Sequence, residues 1–233
     1  MAPDKIVTAI RAALERDGGI NLHEYPIRIS HRDTICLEGN VENIEAKRKA
    51  RMIALRLAGD IPVEDHLRLI PGERREGKAL LNGVLNALMQ EQAFSQMDIS
   101  NGEHRGVESP QGHIQVKVDG SRVVLLGWVN SLSHRRLAEV ISWWVPGCCD
   151  VLNLLHVEPD ELETDDEISD AVRLVFDKEP SLSSDEISVR TRNAEVTLAG
   201  VVHSDEQKRI ASFDCWYIPG VHAVHNQLEV RPR

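Results

Sequence analysis

The chain has 233 residues, of which 42% are hydrophobic, 27% charged and only 4% aromatic, and its net charge is −10. That composition describes a folded globular protein rather than a disordered or membrane-embedded one, and the acidic balance argues against nucleic acid as a partner. No apolar run approaches the ~18 residues of a membrane-spanning helix. The opening residues lack the basic segment and apolar core of an export signal, so a cytoplasmic chain with reduced thiols is expected.

The predicted elements come in three similar runs. In the first, Ile6, Ile10 and Leu14 recur at a helical step of four. Ile27 and Ile29 mark a short strand, and the stretch Ile35-Cys-Leu-Glu-Gly-Asn-Val41 a second. Asn43 is suited to cap a helix of about fifteen residues with Ala50 and Leu57 turned inward. Gly59 ends that helix, and Val63, Leu67 and Leu69 form a last strand before Pro71. The second run repeats the order: Leu81 and Leu85, then Ile114, Val116 and Val118, then Val123 to Val129 around Gly127. Ser131 caps its second helix, with Ala138 and Val145 inward, and Gly147, Val151, Leu155 and Pro159 follow. A loop of about Ser95 to Gly112 is inserted between its first helix and first strand. The third run has Ile168, Val172 and Phe176, then Ile187 and Val189, then Val196 to Val202 around Gly200. Ser204, Ala211, Ile218, Gly220 and a strand with Val224, Asn226, Leu228 and Val230 on one face complete it.

In every run the second glycine lies 20 residues after the first and the closing proline 32 after it. Coincidence does not hold such a register, so these are internal repeats. They predict an α+β protein of three tandem α-β-β-α-β units at residues 1–74, 75–159 and 160–233. Each is a three-stranded mixed sheet with two helices on one face, and strands stay within their own unit. The glycine of the second strand marks a bulge or a close backbone approach. Charge is uneven: residues 1–74 hold 12 acids and 12 bases, whereas residues 158–233 hold 17 and 8.

The unit of about 70 residues, its hydrophobic-x-Leu-x-Gly-x-Val strand and its helix ending in Pro-Gly-Val-x-x-Val resemble the BON (bacterial OsmY and nodulation) domain. The third run is the nearest to that pattern, with Val196-Thr-Leu-Ala-Gly-Val-Val202 and Ile218-Pro-Gly-Val-His-Ala-Val224. The second run departs at Cys148-Cys149, and the first has Ala58-Gly59 in place of Pro-Gly. The resemblance implies a non-enzymatic binding module, associated with phospholipid binding, envelope or stress maintenance and attachment to larger assemblies. A cytoplasmic protein-interaction or ion-sensing module is the alternative; one relative that pairs such a domain with a LysM domain binds potassium.

The residues themselves point away from catalysis: there is no Gly-rich phosphate loop, no Gly-x-Ser-x-Gly elbow and no His-Glu-x-x-His. No cofactor and no metal is expected, since the cysteines lack zinc-ligand spacing and the strand pattern puts His222 and His225 on opposite faces. Cys148 and Cys149 then sit in a helix-to-strand turn, and Cys36 and Cys215 are small half-buried hydrophobes.

Three surface features remain. Lys47-Arg48, Arg135-Arg136 and Lys208-Arg209 occupy the same place in each second helix, and with Arg51 they are candidates for anionic lipid headgroups or for ordinary solvated helix faces. Trp143-Trp144 and Trp216-Tyr217 share a position near the end of that helix, suited either to a membrane interface or to packing against a neighbouring repeat. The helix-free sheet face is mostly polar in the first run (Cys36, Glu38, Asn40, Glu64, His66, Arg68) and mixed in the third. In the second it is apolar, with Val124, Leu126, Trp128, Leu152 and Leu154 beside His156. An apolar sheet face of that size is expected to be covered by another repeat, by the inserted loop or by a second copy of the chain.

Overall fold

In the computed structural model, residues 3–73, 75–102 and 111–232 are described. They form two compact units, Met1–Ile70 and Pro71–Arg233; the first holds one repeat and the second holds two.

The first unit runs α1 (Pro3–Arg16), β1 (Arg28–His31), β2 (Ile35–Val41), α2 (Ile44–Ala58) and β3 (Val63–Leu69). Its sheet has the order β1-β2-β3, antiparallel then parallel. The four-residue step of α1 places Ile6, Ile10 and Leu14 in the core with Ile35, Leu37, Ala50 and Leu67. Asn43 caps α2 by accepting from the Ala46 amide at 2.9 Å, as its residue type predicts.

The second unit opens with α3 (Gly77–Gln90), a short 3₁₀ turn, and β4 (Asp98–Ser100). There follow β5 (Gly112–Asp119), β6 (Arg122–Val129), α4 (Leu132–Trp144) and β7 (Asp150–Val157). The second half of the unit comprises α5 (Asp165–Lys178), β8 (Ile187–Arg192), β9 (Glu195–Val202), α6 (Asp205–Tyr217), β10 (Ala223–Asn226) and β11 (Glu229–Val230). The sheets are β4-β5-β6-β7 and β8-β9 with β10 and β11 both on β9. No strand pairs outside its own repeat among the described residues. The protein is thus three α+β units, each with a mixed sheet.

Three details depart from expectation. The start of the inserted segment is not loop: β4 adds a parallel fourth strand beside β5, while residues 103–110 lie outside the described residues. On α3 the buried residues are Leu80, Val84 and Leu88 rather than Leu81 and Leu85. Adjacent leucines at 80 and 81 satisfy the same four-residue step, and periodicity alone does not choose between them. Leu57 is 38% exposed, whereas its counterparts Val145 and Ile218 are buried. The cause is local: Val145 and Ile218 precede prolines, which excludes them from the helix and leaves both at ψ 122. The first repeat lacks that proline, so α2 carries Leu57 round its exposed side and stops at Gly59 with φ 62.

The strand glycines are required by close approach. At Gly127 and Gly200, φ is +115 and +129, and a Cβ would lie 2.1 Å from the carbonyl oxygens of His113 and Glu186. No side chain fits there.

Candidate functional site

A single inward strand position organises each repeat. Asp65, Asn153 and Asn226 are equivalent, and each accepts from the backbone amide two residues on, at 2.9, 3.2 and 3.2 Å. Asn153 and Asn226 also donate to the carbonyls of Arg135 and Lys208 on the covering helix. In the first repeat Lys47 makes this tie, its Nζ reaching Asp65 Oδ1 at 3.1 Å and the Leu67 carbonyl. Lys208 Nζ donates likewise to the Leu228 carbonyl at 2.7 Å.

This changes the status of the basic pairs. Lys47 is buried and ion-paired with Asp65, and Lys208 is part of the same strand-to-helix tie. Arg136 is 2% exposed; its Nη1 and Nη2 meet no hydrogen-bond acceptor, and Glu167 lies 3.8 Å away. Arg209 is exposed and bound to Glu206 at 2.8 Å. Arg135 is half-buried on the wall of an acidic cleft. Arg48 is half-buried, and Arg51 is the remaining exposed member. The long apolar stems of Lys and Arg allow a repeated pair to be buried as readily as solvated. The inward Asp65, Asn153 and Asn226 were the signal that a donor had to meet them.

The aromatics are likewise internal to the second unit. Trp143 and Trp216 are 5% and 2% exposed, and Trp143 stacks at a tilt on Tyr217 with ring centroids 6.0 Å apart. Trp144 Nε1 donates to Asp214 Oδ1 at 3.3 Å. The aromatic pairs therefore join the second repeat to the third, which is the packing alternative of the two; Trp143 and Trp216 are buried there, and Trp144 and Tyr217 are half-buried. Lys178 to Glu91 at 2.7 Å and the amide of Leu132 to Glu161 at 2.7 Å add polar ties in the same unit.

Asp214 stands out in this junction. Its counterparts in the other repeats are Ile53 and Ile141, yet it is 3% exposed with Oδ2 unpartnered. Burial and then the nearby Glu179 push its carboxyl up to about 7, against the Trp144 hydrogen bond. Burial likewise pushes the Tyr217 hydroxyl up to about 12 and the Cys148 and Cys215 thiols well up. These thiols are inert at neutral pH. Cys215 is fully buried rather than half-buried.

The helix-free face of the second repeat grades from polar to apolar. On β4 and β5, Asp98 bonds His113 at 3.0 Å and Gln115 donates to the Gly102 carbonyl at 2.6 Å. Opposite them on β6, Val124, Leu126 and Trp128 are half-buried. On the outer strand β7, Leu152 and Leu154 are 44% and 45% exposed. β4 extends the sheet beside β5, and the expected cover is not found over β7 among the described residues. Beside this stripe is a cleft of about 660 Å³ between the ends of β6 and β7 and the start of α4, lined by Leu126, Leu132, Leu154, Arg135, Glu161 and Glu163 among others.

On the first repeat, Cys36, Glu64 and His66 share the open face, and their Sγ, carboxylate oxygen and ring nitrogen all lie within 4.8 Å of one another. Burial, then Glu38 and Glu64, raise the Cys36 thiol.

The sequence profile of the BON domain matches residues 4–71, 103–159 and 164–232, once per repeat. The chain belongs to the BON domain family. The match to the middle BON repeat begins beyond α3 and β4, so those two elements are outside the family pattern there. A search of curated protein sequences returns no match. Among solved structures, the BON chain is similar to the C-terminal domain of CdsD, a structural protein of the type III secretion system of Chlamydia trachomatis. That similarity has 14% identity, 100% coverage of both chains and a TM-score of 0.27. It is also similar to the periplasmic domain of PrgH, a type III secretion inner-membrane protein from S. typhimurium, at 12% identity and TM-score 0.23, over 95% of this chain and 100% of that one.

Proposed function

We propose that this BON protein is a non-enzymatic binding module that docks protein through the open face of its second repeat, first of all a second copy of itself. The observation that carries this reading is the apolar stripe of Leu152 and Leu154 on β7, whose outer edge pairs with no strand among the described residues, continued by Val124, Leu126 and Trp128. Edge strands with exposed apolar side chains invite pairing. The rim suits a self-complementary contact, because Arg135 and the acids Asp160, Glu161 and Glu163 border the same cleft and a two-fold axis brings each rim against its own opposite charge. The acids at that rim disfavour an anionic membrane. Phospholipid is the second reading, favoured by exposed Arg51, Leu55, Arg56 and Leu57 on α2 of the first repeat.

Sedimentation velocity over a concentration series, with and without vesicles of neutral or anionic phospholipid, separates the two. Self-association that Leu152→Ser with Leu154→Ser abolishes, and no vesicle binding, supports protein docking. A monomer at every concentration overturns it, and vesicle binding lost in Arg51→Ser with Arg56→Ser supports the lipid reading.

A further inference from the structure

We propose that the open sheet face of the first repeat binds a borderline-soft divalent cation, Zn²⁺ or its analogue Co²⁺, through Cys36 Sγ, a Glu64 carboxylate oxygen and His66 Nε2. The three residues meet across strands rather than along the chain: Cys36 on β2 pairs in register with Glu64 on β3, and His66 lies two residues further on the same face. Nε2 of His66 is 3.4 Å from Oε2 of Glu64. A tetrahedral ion with bonds of ~2.0–2.1 Å to nitrogen and oxygen sets those two atoms about 3.3 Å apart, so this pair already has a chelating separation. Cys36 Sγ completes a set within 4.8 Å, and rotation of the exposed Glu64 and His66 side chains closes the rest.

The donor chemistry selects the ion. One thiolate, one imidazole and one carboxylate match Zn²⁺ and Co²⁺, whereas Mg²⁺ and Ca²⁺ require oxygen-rich shells. Three protein ligands leave the fourth corner open to water or to a ligand from another molecule. Flanking Glu38, opposite His66 in register and 3.6 Å from Arg28, adds negative charge beside the site. The arrangement belongs to the first repeat alone. The positions of Cys36, Glu64 and His66 are held by Val124, Leu152 and Leu154 in the second repeat and by Thr197, His225 and Gln227 in the third.

The test is optical titration of the tag-free, reduced, full-length chain with Co²⁺. One equivalent is expected to produce a thiolate-to-cobalt charge-transfer band with the visible bands of a tetrahedral ion, and Zn²⁺ should displace both. Cys36→Ser should remove the charge-transfer band, and His66→Gln or Glu64→Gln should weaken binding by about tenfold or more. Because the other three thiols are buried, Cys149→Ala should leave the spectrum as in the parent chain. Matching circular dichroism and melting of each variant show that the fold is intact, as expected for open-face positions. No charge-transfer band in the parent chain, its persistence in Cys36→Ser, or indifference to both His66→Gln and Glu64→Gln overturns the assignment.

Discussion

Replacing Asp214 by Asn is expected to leave the second unit unchanged in stability near pH 4 and to raise it by several kcal/mol at pH 8. Asp214 lies in the junction between α4 and α6, 3% exposed, with one oxygen on Trp144 and the other unpartnered. Its carboxyl is moved from 3.8 to about 7, which corresponds to on the order of 4 kcal/mol between the two protonation states. The sign follows from proton counting. Between about pH 4 and pH 7 the folded carboxyl holds a proton that the unfolded one has released, so stability falls as pH rises through that window. Above pH 7 both states are ionised, the slope vanishes and the full penalty remains. Asn has the same shape and no charge, so it removes the slope.

All four tryptophans (Trp128, Trp143, Trp144 and Trp216) are in the second unit, and urea unfolding followed by indole fluorescence reports on it alone. The quantity to plot is the stability difference between Asp214→Asn and the parent chain from pH 4 to pH 8. A rise of a few kcal/mol centred between pH 5 and 7 is expected. A difference that stays constant with pH would refute the reasoning, because it would show that the carboxyl stays ionised in the fold. Asp214→Ile, which restores the residue type of the other repeats, should show the same loss of pH dependence.

Gly127→Ala and Gly200→Ala should each cost several kcal/mol or prevent folding, since the new Cβ meets a carbonyl oxygen at 2.1 Å; a melting temperature within a few degrees of the parent would contradict this. Ala194→Gly should raise the melting temperature by about 2–4 °C, because Ala194 is held at φ 61 in the β8–β9 turn, where a side chain costs about 1 kcal/mol. An unchanged or lowered melting temperature counts against that account. Arg136→Met should be neutral or stabilising in urea unfolding, since it replaces a buried cation whose terminal nitrogens lack acceptors; a loss of more than about 2 kcal/mol would mean that the contact with Glu167 is a net gain.

Most of the fold was legible because its determinants are local and occur three times. Caps Asn43, Ser131 and Ser204 and the inward alanines 50, 138 and 211 behave as residue type and spacing predict. What was not legible depends on neighbours remote in sequence. Two adjacent aromatics on a helix point about 100° apart, so Trp143 and Trp144 were distinguishable only once the third repeat was placed against the second. The repeated cations read as a surface feature until the inward Asp65 showed where Lys47 goes. The Cys36, Glu64 and His66 cluster escaped a search for ligand spacing along the chain because strand pairing, not spacing, brings residues 36 and 64 together.

The three repeats also show which positions of the unit are held and which vary. Inward positions are confined by the helices above them, and they repeat nearly unchanged: Leu67, Leu155 and Leu228 are at most 3% exposed. Outward positions carry no such constraint, and the same sites hold a thiol with a carboxylate and an imidazole, then valine with two leucines, then threonine with histidine and glutamine. A sheet open on one side can change its exposed face without cost to its core. Triplication of one unit therefore multiplies surfaces while holding the scaffold fixed. In this chain the second repeat has gone furthest from an ordinary wet face, and it is also the one braced on its helical side by Trp143, Trp144 and Tyr217 against the third. Helix α4 packs on the inward side of β7, where Asn153 donates to the Arg135 carbonyl, while Leu152 and Leu154 on the opposite side of the same strand stay exposed. The side that varies between repeats is therefore the one the helix does not reach.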